Sequence, residues 1–94
     1  MEIKQEENGH KGKFFVMLND NQEAVMTYVY AGKNIIIEHT EVHEVFKGQG
    51  VGYKLVEAAV DFVREKDIKI KPLCPFAFAV FKKKGEQYAD VLFK

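Results

Sequence analysis

The chain has 94 residues, 47% of them hydrophobic and including eight Phe and four Tyr, which is material for one modest core, excludes disorder and implies one domain over residues 1–94. Fourteen Lys and Arg balance fourteen Asp and Glu, which removes the general electrostatic case for nucleic-acid or membrane binding; any anion must be held locally. With Arg64 the sole arginine, a bidentate guanidinium clamp for phosphate is nearly out of reach.

The single cysteine, Cys74, rules out an internal disulfide and fits a reducing compartment. The first residues, charged at Glu2 and Lys4, show no signal-peptide pattern. No apolar run approaches the ~18–20 residues of a membrane span. The expectation is a soluble cytoplasmic protein, a monomer or weak dimer.

In chain order, Ile3–Glu6 is a weak strand candidate, followed by a turn-rich break at Asn8–Gly12. Phe14–Leu18 is a short apolar strand, and Asn19-Asp20-Asn21 marks a tight connection. Glu23–Tyr30 is rich in β-branched and aromatic residues. A turn at Ala31–Asn34 leads into a fourth strand from Ile35 to about Val42. Three short connections in succession predict an antiparallel meander.

The period then changes. From Val51 to Lys66, Val51, Leu55, Ala59 and Phe62 recur at helical spacing, with Lys54, Glu57, Asp61, Arg64 and Glu65 opposite. That is an amphipathic helix of about four turns. Ile68–Lys71 alternates like a half-exposed strand, stopped by Pro72. A second helix is predicted over Pro75–Lys84, with Pro75 in its first turn and Gly85 as its cap. Glu86–Phe93 reads as a helical turn and a tail. The fold class is α/β (α+β): a mixed sheet whose strand–helix–strand unit from Ile35 to Ile70 is a right-handed parallel crossover.

The chemically pointed segment is Phe46-Lys47-Gly48-Gln49-Gly50-Val51-Gly52, between the fourth strand and the long helix. The first N–H groups of a helix have no internal partner, and the helix dipole makes that end positive. Glycines there let a pyrophosphate approach without interference from Cβ. A purely structural tight loop fits the same residues. A Walker loop does not, because Tyr53-Lys54 follows Gly52, and a dinucleotide-binding fingerprint requires a different glycine spacing.

The loop resembles the pyrophosphate loop of the GNAT superfamily of acetyltransferases, Gln/Arg-x-x-Gly-x-Gly/Ala at a strand-to-helix junction. Lys47 stands at the Gln/Arg position, and the helix after the loop is also similar. Cys74, Ala77, Phe81 and Gly85 have the spacing of the family's Asn-x-x-Ala-x-x-x-Tyr-x-x-x-Gly, with Cys in place of Asn and Phe in place of Tyr. Phe81 has no hydroxyl, so the family's tyrosine acid does not carry over. The connections are also too short for the family's two early helices. The whole resembles the minimal GNAT-like group of roughly one hundred residues, which pairs a His on the fourth strand with a Cys after the fifth; His39 and Cys74 stand at those places.

The resemblance implies acetyl-CoA as co-substrate and an amine acceptor, small molecule or protein. It implies cofactor binding by Val42, His43, Val45, Phe46, Lys47, Gly48, Gln49, Gly50, Val51, Gly52 and Tyr53, with the backbone of Val42–Val45 pairing with the pantetheine arm. The expected catalytic residues are Cys74, as acyl relay or pocket lining, and His39, as general base. Strand alternation puts His39 on the face of Ile35 and Ile37. A small buried hydrophobe at Cys74 and a core-edge histidine at His39 are the bland alternatives. Glu38, Glu41 and Glu44 are lesser candidate bases, and Lys82 and Lys83 candidate partners of a CoA 3′-phosphate. Three scattered His and one Cys make no metal ligand set. Two other classes remain: a catalytically weak acyl-CoA-binding module, and an interaction domain whose glycine loop is structural.

Overall fold

The computed structural model describes residues 2–46 and 48–93. Four strands run antiparallel in sequence order: β1 (Lys4–Glu7), β2 (Lys11–Leu18), β3 (Asn21–Ala31) and β4 (Asn34–Val42). Short turns join them because the residues there accept turn geometry. Asn8 Oδ1 accepts from the N–H groups of His10 and Lys11, and Asn19 and Asp20 both take positive φ. β2 and β3 are longer than expected: Gly12 lies inside β2 instead of in the turn.

After a short 3₁₀ turn at Glu44–Phe46 and the glycine loop comes α1 (Val51–Lys66). It returns the chain to β5 (Ile70–Pro72), which pairs parallel with β4 through Ile35–Ile70, Ile36–Lys71 and Ile37–Pro72. This is the predicted crossover, followed by α2 (Pro75–Lys84). β5 is shorter than the alternation Ile68–Lys71 implied. Asp67 takes the left-handed conformation beyond α1, its N–H donates to Arg64 O, and the Ile68 N–H donates to Val63 O. That C-terminal motif pulls Ile68 into the core beside Val63 and delays the strand.

Both helices contribute to one apolar cluster with Phe14, Met26, Tyr28, Ile35 and Ile37 from the sheet and Ile70 from β5. The opposite sheet face, carrying Lys13, Phe15, Val25 and Thr27, has no helix over it among the described residues. Gly85–Tyr88 forms a 3₁₀ turn, and the tail then returns to β5: Ile70 N–H donates to Val91 O and Phe93 N–H to Ile70 O. Arg64 fastens this tail with two 2.9 Å bonds to Asp90, and Lys69 Nζ donates to Asp90 O. The sole arginine thus has a structural task. None of the described helices is long and apolar enough to cross a membrane.

Candidate functional site

β4 and β5 part after their last pair, Ile37–Pro72. The chain turns there because the N–H groups of Leu73 and Cys74 both donate to Ile37 O at 3.0 Å. Beyond that point the edge of β4 from Glu38 to Val42 has no strand partner on the β5 side among the described residues. A gap opens, bounded by β4 on one side and by Leu73, Cys74 and the start of α2 on the other.

A β-bulge decides which side chains face this gap. Thr27 pairs with His39 but Tyr28 pairs with Ile37, so Glu38 is an extra residue in β4. One extra residue reverses the alternation beyond it. Thr40, paired with the fully buried Met26, therefore continues the helix-covered face of Ile37. His39 lies on the open face, with its side chain 63% exposed and its Nε2 3.7 Å from Glu41 Oε2. The expectation that His39 shares a face with Ile35 and Ile37 is corrected. A bulge leaves little trace in composition, so the sequence pointed to His39 and missed Thr40.

Cys74 precedes α2 as its N-cap and is only 4% exposed. Its Sγ donates to Thr40 Oγ1 at 3.4 Å. Burial pushes the thiol up. Hydrogen bonds from the Thr40 side chain and from the backbone of Ala77, Phe76 and Thr40 outweigh it, and the net direction is down. The structure thus brings Cys74 together with Thr40 and puts His39 on the other face of the sheet.

The glycine loop sits at one end of the same gap. Gly50 caps α1 at φ 68° and Gly48 has φ 80°, conformations that favour glycine. A Cβ at either would meet nothing within 4 Å. The demand is therefore conformational, and the outer surface of the loop is open to a ligand. Among the described residues no side chain caps α1, and no acidic residue lies in its first turn. The first internal N–H bond is that of Lys54 to Gly50 O, so the N–H groups of Val51, Gly52 and Tyr53 have no partner within the helix. Gly52 has a different reason: its Cβ would lie 2.5 Å from Phe76 Cζ. It lets α2 approach α1, and Phe76 stacks edge-on against Tyr53 at 5.8 Å.

These elements enclose a groove of about 670 Å³. Of the expected cofactor contacts, Val42, His43, Phe46, Gly48, Gly50, Val51, Gly52 and Tyr53 line it, joined by Glu44 and Phe76. Lys47 lies outside the described residues. Val45 and Gln49 are not in the lining; Gln49 Nε2 donates to Val45 O at 3.3 Å. The Val45 N–H donates to His43 Nδ1 at 3.2 Å, so the extended edge open to an added strand ends at Val42, short of the expected Val45. His43 Nδ1 also lies 3.4 Å from Glu23 Oε2. The two contacts are alternatives, the first needing Nδ1 bare and the second needing it protonated. Lys83 Nζ lies 5.5 Å from the Tyr53 ring, beside the loop, whereas Lys82 lines a separate apolar groove with Leu73, Phe78 and Phe93. Among the described residues no cluster of three or more His, Cys, Asp or Glu could hold a metal.

Residues 13–91 match the family model of the GCN5-related N-acetyl-transferases. The chain belongs to that family. Protein NATD1 of mouse and of human are each 39% identical to it over 74 residues, 77% of this chain. The match spans 67% of the mouse protein and 66% of the human one. The solution structure of a GCN5-like protein from Staphylococcus aureus is 39% identical and superposes with a TM-score of 0.77 over 98% of this chain and 87% of that one. A ribosomal-protein-alanine N-acetyltransferase from Brucella melitensis shares the fold, with a TM-score of 0.68 at 13% identity, over 81% of this chain and 62% of that one. The membership accounts for the strand–loop–helix order, for the mixed sheet and for acetyl transfer as the general class of chemistry.

Proposed function

We propose that the protein transfers the acetyl group of acetyl-CoA to an amine. The observation that carries this reading is the continuity of one groove. It runs from the N–H groups of Val51, Gly52 and Tyr53, which have no partner within the helix, past Val42 and Phe76, which stand two residues from Thr40 and Cys74 respectively. The α1 N-terminus suits a pyrophosphate, and the free edge of β4 suits an extended amide-bearing arm. Such a co-substrate would bring its thioester to the gap from the helix side, where Cys74 lies. An amine would arrive from the open face, where His39 lies.

In this reading the Cys74 thiol loses its proton to solvent and the thiolate attacks the acetyl carbonyl carbon. The carbon–sulfur bond to Cys74 forms as the one to CoA breaks, and the departing CoA thiolate takes a proton from solvent. The amine then attacks acetyl-Cys74, a carbon–nitrogen bond replaces the carbon–sulfur bond, and His39 takes the amine proton. Titration calorimetry with acetyl-CoA, CoA and ATP in parallel tests the first requirement. Binding of acetyl-CoA and CoA but not ATP is expected; no heat with any of them removes the reading.

A second reading, a binding module with little turnover, is favoured by Phe81. It stands where the family's tyrosine acid would be, and it is buried against Tyr88 at 5.3 Å. Incubation with acetyl-CoA and a pool of amines separates the two. The transferase predicts acetylated product well above that of Cys74→Ala and His39→Ala; the module predicts no difference among the three.

A further inference from the structure

We infer that Thr40 is the positioning residue for Cys74: its hydroxyl orients the sulfur toward the gap between β4 and β5 and donates a hydrogen bond to it when it is a thiolate. The inference rests on the acyl-relay reading above for its purpose, and on geometry for its existence. Without the bulge at Glu38, alternation would point residue 40 at the open face and put His39 on the side of the sulfur. With the bulge, Thr40 Oγ1 stands 3.4 Å from Sγ. Thr40 is held from both sides, by its pairing with buried Met26 and by the turn that ties Cys74 N–H to Ile37 O.

The residue type suits the task. Threonine is branched at Cβ, so its χ1 is stiff and the hydroxyl keeps one direction. A hydroxyl accepts from a thiol and donates to a thiolate, so it serves the sulfur in both protonation states. A valine would fill the same volume and serve neither. The contact recovers, for a buried sulfur, part of the solvation that burial removes. The N–H groups of Phe76 and Ala77 at the start of α2 act in the same direction.

Thr40 does not touch the reacting carbon, so its signature is a titration and not only a rate. Thiolate ultraviolet absorbance is followed against pH in wild type, Thr40→Val and Thr40→Ser, with Cys74→Ala as the blank that removes the tyrosine signal. Thr40→Val should raise the midpoint by about one pH unit, the size of a hydrogen bond to a charged group. Thr40→Ser should return it close to wild type. Circular dichroism confirms that each variant is folded, and valine, being isosteric, is the variant least able to disturb the core. A folded Thr40→Val with the wild-type midpoint overturns the inference, as does a Thr40→Ser midpoint equal to that of Thr40→Val. The titration needs no acetyl-CoA, so the two readings fail separately. An active protein whose midpoint ignores Thr40 sinks this inference alone. A protein that transfers no acetyl group while its midpoint follows Thr40 sinks the acyl-transfer reading alone.

Discussion

At the scale of single residues, Gly52 shows how one hydrogen atom shapes the site. A Cβ there would lie 2.5 Å from Phe76 Cζ and 2.8 Å from Cε2. The ring has little room to yield, because Tyr53 packs against it. Gly52→Ala gains about 1 kcal/mol of helix propensity and meets an overpacking cost of about 1–3 kcal/mol. The expected net is a loss of up to about 2 kcal/mol in urea unfolding, relieved in the double variant Gly52→Ala/Phe76→Leu. A Gly52→Ala protein as stable as wild type would mean that the contact is looser than the geometry indicates. The glycine pattern was visible in the sequence, but its reasons were not: Gly48 and Gly50 serve positive φ, and Gly52 serves Phe76, a residue 24 positions away.

At the scale of elements, what the sequence showed was what periodicity can carry. The amphipathic run Val51–Lys66 and the Pro75–Lys84 helix were legible residue by residue. The bulge at Glu38 and the capture of Ile68 by the end of α1 were not, because both arise from tertiary partners and not from local composition. β1 is the weakest element by composition, with all four residues exposed, and a polar network holds it. Gln5 Nε2 donates to the Tyr28 hydroxyl, and the Tyr28 and Tyr30 hydroxyls both donate to Glu7. Burial first, then the hydrogen bond to Glu7 and its charge, push the Tyr30 phenol from 10.0 up to about 12. Tyr28 is pushed further up, again chiefly by burial. A phenol raised on folding contributes stability that is full below the unfolded value and is lost as pH rises through the folded one. Between pH 10 and about pH 12, wild type should therefore lose more stability than Tyr30→Phe, whose remaining slope belongs to Tyr28 and Tyr88. Urea midpoints taken across that window check this, and parallel slopes for the two proteins would contradict it.

At the scale of the whole molecule, the topology was legible because each connection was short or helical, and the connection rules leave few mixed sheets for four antiparallel strands followed by a crossover. What sequence could not reveal is that, among the described residues, helices cover the sheet on one face only, which leaves Cys74 and His39 on opposite sides of the same gap. A ligand spanning the α1 N-terminus, the edge of β4 and the start of α2 would add to the contacts that join them, Gly52 with Phe76 between the helices and Thr40 with Cys74 between β4 and α2. Binding the folded chain and not the unfolded one, such a ligand would stabilise it by mass action. At a hundred times its dissociation constant the gain is about 2.7 kcal/mol. In a domain of this size that corresponds to a rise in melting temperature of roughly 10–20 °C. Acetyl-CoA and CoA should both produce it, since the pyrophosphate and pantetheine contacts are common to them. Formal charge on the chain is zero and the anion would be held by backbone N–H groups, so the rise should fall only modestly between low and moderate salt, unlike a lysine-driven site. Thermal unfolding with each ligand at two salt concentrations measures this. A rise with CoA that vanishes in moderate salt would assign the anion to lysines such as Lys83 instead of the helix terminus.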